Sequence, residues 1–174
     1  MTSLYETAYP RLKADPSAHT LAEIYTPTSA ELDFVATLVK RPVGRMAALI
    51  KLKLFQRLGY FIRLADVPEA IRTHIIAHSG VVRPPSLTEL KRFDTSGTQR
   101  ALITGLRRYL NVRALDDAGY AWLETVADEA AQTRHILPDI INVMLEELAH
   151  HRYELPAFSA LDRIAMRARE HVHH

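Results

Sequence analysis

The sequence predicts an all-α fold, and three observations carry that expectation. Segments opened by capping residues and closed by glycine or proline recur along the chain. No run alternates apolar and polar side chains as a strand would. Hydrophobic residues make up 48% of the 174 positions, ample material for a packed interior and too much for a disordered tail.

Taken in order, Thr28 followed by Glu31 forms a capping box that starts a helix running to about Lys40. Pro42 sits where the next helix begins. Residues 43–58 then carry apolar side chains on every side: Met46, Ala47, Leu49, Ile50, Leu52, Leu54, Phe55 and Leu58. A helix apolar all round is expected at the buried centre of a fold, and Gly59 supplies its stop. Asp66 with Glu69 opens a helix over 67–79 that ends at Gly80. The stretch Val81-Val82-Arg83-Pro84-Pro85 breaks the pattern as a stiff connector. It predicts two helical subdomains, 1–82 and 83–174, each with helix-turn-helix-like packing. Beyond it, Ser86 with Glu89 starts a short helix, and Ser96 with Gln99 starts another to about Leu110. An acidic helix covers roughly 116–134, Pro138 begins 138–151, and a last helix spans about 158–170. No repeat of 20–50 residues is present.

Composition narrows the functional classes. Without cysteine, neither a disulfide scaffold nor a thiolate zinc site is possible, and a reducing, cytoplasmic setting is the natural reading. The start MTSLYETAYPRLK is not a signal peptide, and no run approaches the ~20 apolar residues of a membrane span. The net charge is only +2, but it is unevenly spread: residues 83–115 hold seven basic against two acidic side chains, and 116–151 hold one against eight. Such polarity offers a positive face to a polyanion, although solvated helix faces would look the same.

Motifs for catalysis are missing. His74 and His78 have the one-turn spacing of zinc ligands but lack the intervening glutamate of a helical zinc-protease motif. Glu147-x-x-His150 is half of a di-iron set with no second copy. No glycine-rich phosphate loop or nucleophile elbow exists. The adjacent carboxylates Asp116-Asp117 and Glu146-Glu147 point about 100° apart on a helix and do not converge. No catalytic residue, metal or cofactor is therefore expected. His171, His173 and His174 read as a terminal tail or part of a purification tag.

Two basic faces stand out instead. Helix 96–110 turns Leu102, Ile103, Leu106 and Leu110 inward and Arg100, Thr104, Arg107 and Arg108 outward, with Lys91 and Arg92 just upstream. Cations spaced this way suit phosphate contacts, which position a protein on DNA without reading bases. On the last helix Phe158, Leu161, Ile164, Ala165 and Ala168 form an apolar stripe, leaving Ser159, Arg163, Met166 and Arg167 opposite. Following helix 138–151 after a short connector, that face resembles a recognition helix. An ordinary surface helix would share the pattern, since the connector exceeds the usual three or four residues. In the first half, Arg41 with Arg45 and Lys53 with Arg57 share helix sides and are expected in part to snorkel out of the core.

The residues also carry a resemblance. Tyr9-Pro10-Arg11-Leu12-Lys13-Ala14-Asp15-Pro16, the run KLKLFQRLGYFIRLADVPEAI from Lys51 to Ile71, Ser96-Gly97-Thr98-Gln99-Arg100, and DIINVMLEELAHHRYELPAFSALDRIAMRAR from Asp139 to Arg169 resemble the N-terminal domain of Tn-three-family transposases. The likeness runs from about Tyr5 to Arg169. It implies recognition of the double-stranded terminal inverted repeats of a replicative transposon, at the nucleoid, with Asp-Asp-Glu strand transfer supplied by a separate catalytic region. This chain is then expected to be no enzyme, and homo-oligomers are admissible. The rival expectation is a helical protein-interaction module for transposase assembly or host-factor contact. The acidic segment 116–134 favours that rival, because phosphates would repel it.

Overall fold

The structure, a computed structural model, describes residues 2–172. The described residues are all-α: nine α-helices and two single 3-10 turns, with one isolated bridge between Arg113 and Tyr153 in place of any strand. No helix among them is long and apolar enough to cross a membrane. Two compact units form, and they do not divide at the Pro84-Pro85 connector. One unit is Arg11–Leu110; the other joins the segment up to Pro10 to the chain from Asn111 onward. The expected boundary at 82/83 fails for a packing reason. Leu90, Leu102 and Leu106, from beyond the connector, share one core with Met46, Leu49 and Leu52 from before it.

The Arg11–Leu110 unit is wrapped around one helix. Its elements are α1 (Ala18–Tyr25), α2 (Ser29–Leu38), α3 (Pro42–Leu58), α4 (Glu69–Ala77), α5 (Leu87–Phe93) and α6 (Gln99–Leu110). As its pattern predicts, α3 is the centre, packed against each of the other five helices, with Ala47, Ile50, Leu52 and Leu54 fully buried. It ends at Gly59, whose φ of 80° is a left-handed cap that a Cβ would strain. The capping boxes at Thr28 and Ser86 form as expected. Ser96 makes none: its hydroxyl donates to the Phe93 carbonyl at 2.7 Å, and α6 starts at Gln99. Asp66 closes a 3-10 turn and pairs with Arg63 at 3.0 Å, while Pro68 is the residue that leads into α4. The helix α1, capped by Ser17, was not among the expected elements.

Two lysines of α3 lie inside this unit instead of snorkelling. Lys51, 2% exposed, places its Nζ 2.8 Å from Asp94 Oδ1 and donates to the Ile62 carbonyl at 3.0 Å. The other Asp94 oxygen accepts the Leu64 N–H at 2.6 Å, tying α3, α5 and the 60s loop together. Lys53 meets Glu31 at 3.0 Å, and Gln56 donates to the same carboxylate at 2.6 Å. Burial by itself would raise the Glu31 pKa. Hydrogen bonds from the Thr28 backbone, Gln56 and Lys53, with the Lys53 charge, overcome that and hold it below its ordinary value.

The second unit contains α7 (Asp117–Ala131), α8 (Leu137–His150) and α9 (Phe158–Val172), each packed against the other two. Leu123, Ala127, Ile140, Met144, Leu148, Leu161 and Ala165 are completely buried. The chain's beginning completes the unit. The Thr2 N–H donates to buried Asp162 at 3.3 Å, the Ala8 N–H to Asn142 Oδ1 at 2.8 Å, and the Tyr9 hydroxyl to the Pro156 carbonyl at 2.8 Å. The Tyr9 ring meets Phe158 edge-on at 5.6 Å. His171 is not a loose tail residue: it belongs to α9 and lies 3.2 Å from Asp128 of α7. His173 and His174 lie outside the described residues.

Candidate nucleic-acid interface

On α9 the apolar stripe and the polar row fall where the 3.6-residue period places them. Leu161, Ile164, Ala165 and Ala168 are buried and Phe158 is half-buried, while Ser159, Arg163 and Arg167 are exposed. Asp162, absent from the expected face, is buried and held by the Thr2 N–H, which fixes the rotation of α9 about its axis. Ser159, Arg163, Met166 and Arg167, with Asp162 and Glu170, line a shallow hollow of about 320 Å³. Neither Arg163 nor Arg167 forms an ion pair or hydrogen bond among the described residues. Both guanidiniums keep all five donors for an outside acceptor.

The connector between α8 and α9 is pinned, which makes the exposed row rigid relative to its unit. Arg152 takes a left-handed φ of 60° and donates from Nε to the Asn111 carbonyl at 3.0 Å. The Arg113 N–H donates to the Arg152 carbonyl at 3.0 Å, and the Glu154 N–H donates to the Arg113 carbonyl at 2.8 Å. The Arg113 guanidinium lies 4.0 Å above the Tyr153 ring, a cation–π contact. The string RYELP is therefore a clip, and its distinctiveness has a structural reason.

The basic residues of the other unit do not form a single face. Lys91, Arg92, Arg100 and Arg108 are exposed as expected. Arg107 is not fully outward: it is half-buried, with its guanidinium 5.9 Å from the Phe61 ring centre. Arg100 and Arg107 line one hollow of about 410 Å³ with Asp94, Gln99 and Ile103. Arg92 lines a different one, together with Lys40 and Arg41, neither of which is among the expected phosphate contacts. Arg107 and Arg108 lie in the last turn of α6, where cations favour the helix dipole. Arg100 lies in the first turn, where the dipole disfavours it, so helix stability does not explain that residue.

The histidine pair shows ordinary packing. Thr26 Oγ1 lies 2.8 Å from His74 Nε2, and the His74 and His78 rings stack at 4.1 Å. Burial, then the neighbouring His78, pushes the His74 pKa below its ordinary value. No group of three or more metal-ligating side chains occurs among the described residues. Glu147, half of the Glu-x-x-His pattern, lies 3.5 Å from His151.

No curated protein matches this chain. A family model does, over nearly the whole length, taking in both units, the Lys51 to Ile71 run and the α8–α9 clip. The chain belongs to the family described as Domain of unknown function (DUF4158), whose model matches residues 1–168.

Proposed function

We propose that the chain binds duplex DNA, with α9 as the reading helix, and that it serves as the end-recognition part of a transposase acting on terminal inverted repeats. One observation carries the reading most: Ser159, Arg163 and Arg167 stand one turn apart on an exposed face, and both arginines are unspent on the protein's own acids. An arginine so placed meets a guanine edge with two parallel hydrogen bonds. The order α8, connector, α9 supports this as a helix-turn-helix-like arrangement, lengthened at its turn. Arg100, Arg108, Lys91 and Arg92, with Arg107 in part, would supply phosphate contacts from the other unit. The resemblance of the sequence to Tn-three-family transposases points the same way and names the target class. In this reading strand transfer belongs to a separate catalytic region, and the chain itself is no enzyme.

The test is a gel shift against the inverted repeat and a shuffled duplex. Arg163→Ala should cost roughly 1–3 kcal/mol on the repeat and almost nothing on the shuffled DNA. Arg100→Ala should weaken both equally and lower the salt slope by about one. Wild-type protein that prefers neither duplex would refute the reading. Arg163 is exposed, so its loss should change folding stability by no more than about 0.5 kcal/mol.

A further inference from the structure

Between the start of α3 and the end of α5 lies a groove of about 750 Å³. That is within the range of about 300–1,000 Å³ typical of ligand pockets. Its floor is apolar, made by Val39, Pro42, Val43 and Phe93. Three cations, Lys40, Arg41 and Arg92, stand on its rim, all exposed and none held by a hydrogen bond or ion pair among the described residues. The one rim acid, Glu89, is occupied: its carboxylate accepts the Ser86 N–H at 3.1 Å. Lys40 and Arg41 also sit at the positive end of α3, whose first turn holds no acidic residue and whose cap position, Arg41, makes no side-chain hydrogen bond. Helix ends of this sign favour acids, so these two cations stand where they cost stability. The arrangement is a net positive rim, three cations against one carboxylate, around an apolar hollow.

We infer that this groove docks an acidic amphipathic segment of another protein, with a large apolar side chain on the floor and flanking carboxylates on Lys40, Arg41 and Arg92. Charge complementarity selects an acidic occupant, and the floor selects between acidic classes. A phosphodiester backbone gains nothing from covering valine, proline and phenylalanine, whereas an apolar anchor is stabilised by it in proportion to the area removed from water. This inference stands apart from base reading by α9, which uses residues of the other unit; it shares only Arg92 with the proposed phosphate contacts.

The experiment is a selection from a random displayed-peptide library on the intact chain. Recovered peptides should hold one or two of Leu, Phe or Trp flanked by Asp or Glu. A recovered peptide, synthesised with a fluorophore, should bind about tenfold or more weakly to Val43→Asp and to the Lys40→Glu/Arg41→Glu pair. Each variant adds acid at a helix start, which favours α3, so an unchanged melting curve separates lost docking from lost folding. Failure to enrich any sequence, enrichment of non-acidic peptides, or binding that survives both variants would overturn the inference. So would a Lys40→Glu/Arg41→Glu variant that instead loses duplex DNA with a reduced salt slope, since the rim would then be a phosphate contact. Arg163→Ala should leave peptide binding unchanged, so failure of the DNA reading and failure of this one are distinguishable.

Discussion

The two units solve the same packing problem by opposite means. Arg11–Leu110 buries charge: Lys51 and Lys53, on opposite sides of the largely buried α3, each meet an acid brought from another element. The other unit keeps its three-helix core apolar but for one carboxylate, Asp162, held by the Thr2 N–H, and uses polar contacts at the rim, mostly between a side chain and backbone, to hold distant chain segments in place. Buried ion pairs contribute little net stability but penalise every register that leaves one partner alone. Rim contacts of the second kind are individually small, and those of Ala8, Tyr9 and Arg152 can each be lost without stranding a buried charge. The lesson is where each unit is brittle: the first at one atom pair, the second along a seam.

The largest test of that contrast is Asp94→Ala. It leaves the Lys51 ammonium, 2% exposed, without its counter-charge and should cost about 3–5 kcal/mol. Urea unfolding measures it, and a cost below about 1 kcal/mol would mean that Lys51 escapes to water and the contrast is false. Replacing Lys51 by Met as well should return much of the loss. A smaller effect is expected from Tyr9→Phe, which deletes the hydrogen bond to Pro156 and keeps the ring against Phe158. A loss of about 0.5–1.5 kcal/mol is expected. Faster amide exchange should be confined to α8 and α9; equal loosening of α3 would break the separation.

The finest difference is in acid. The folded-state pKa of Glu31 lies below its ordinary value of 4.5. Its contribution is therefore fully present above about pH 4.5 and lost as the pH falls through the folded value. Exchange protection of α2 and the Lys53 region of α3 should decline there before protection of α8 does. His74 acts with the same sign in a higher window. Its folded pKa lies below the ordinary 6.5, so its neutral form favours folding above about pH 6.5 and the cost grows as the pH falls below.

What was legible in the sequence was local. Capping boxes at Thr28 and Ser86, the stop at Gly59 and the periodicity of α9 each depend on residues within a turn or two. The all-round apolar pattern of α3 placed it at the centre for the same reason. What was missed depends on partners far along the chain. Nothing near Lys51 announces Asp94, and nothing near Lys53 fixes Glu31 as its partner, so Lys53 reads as a residue that snorkels out. Nothing near Tyr9 announces Pro156, so the first residues were assigned to the wrong unit. Arg107 was placed outward because Phe61, which covers part of it, lies on another element. For the same reason Lys40 and Arg41 were not linked to Arg92: three cations from two helix ends meet only in the fold.

The hydrogen bond from Ala8 to Asn142 has a consequence for the order of events at the ribosome. Its two ends are 134 positions apart. At about 5–20 residues per second, the first segment waits roughly 7–27 s for its docking helix to be made. Meanwhile the whole Arg11–Leu110 unit emerges and has all of its own core residues in hand. The Arg11–Leu110 unit is therefore complete before the unit around it in sequence can close. During that interval Tyr9 and its neighbours lack their docking helices and stay open to chaperones and proteases alike.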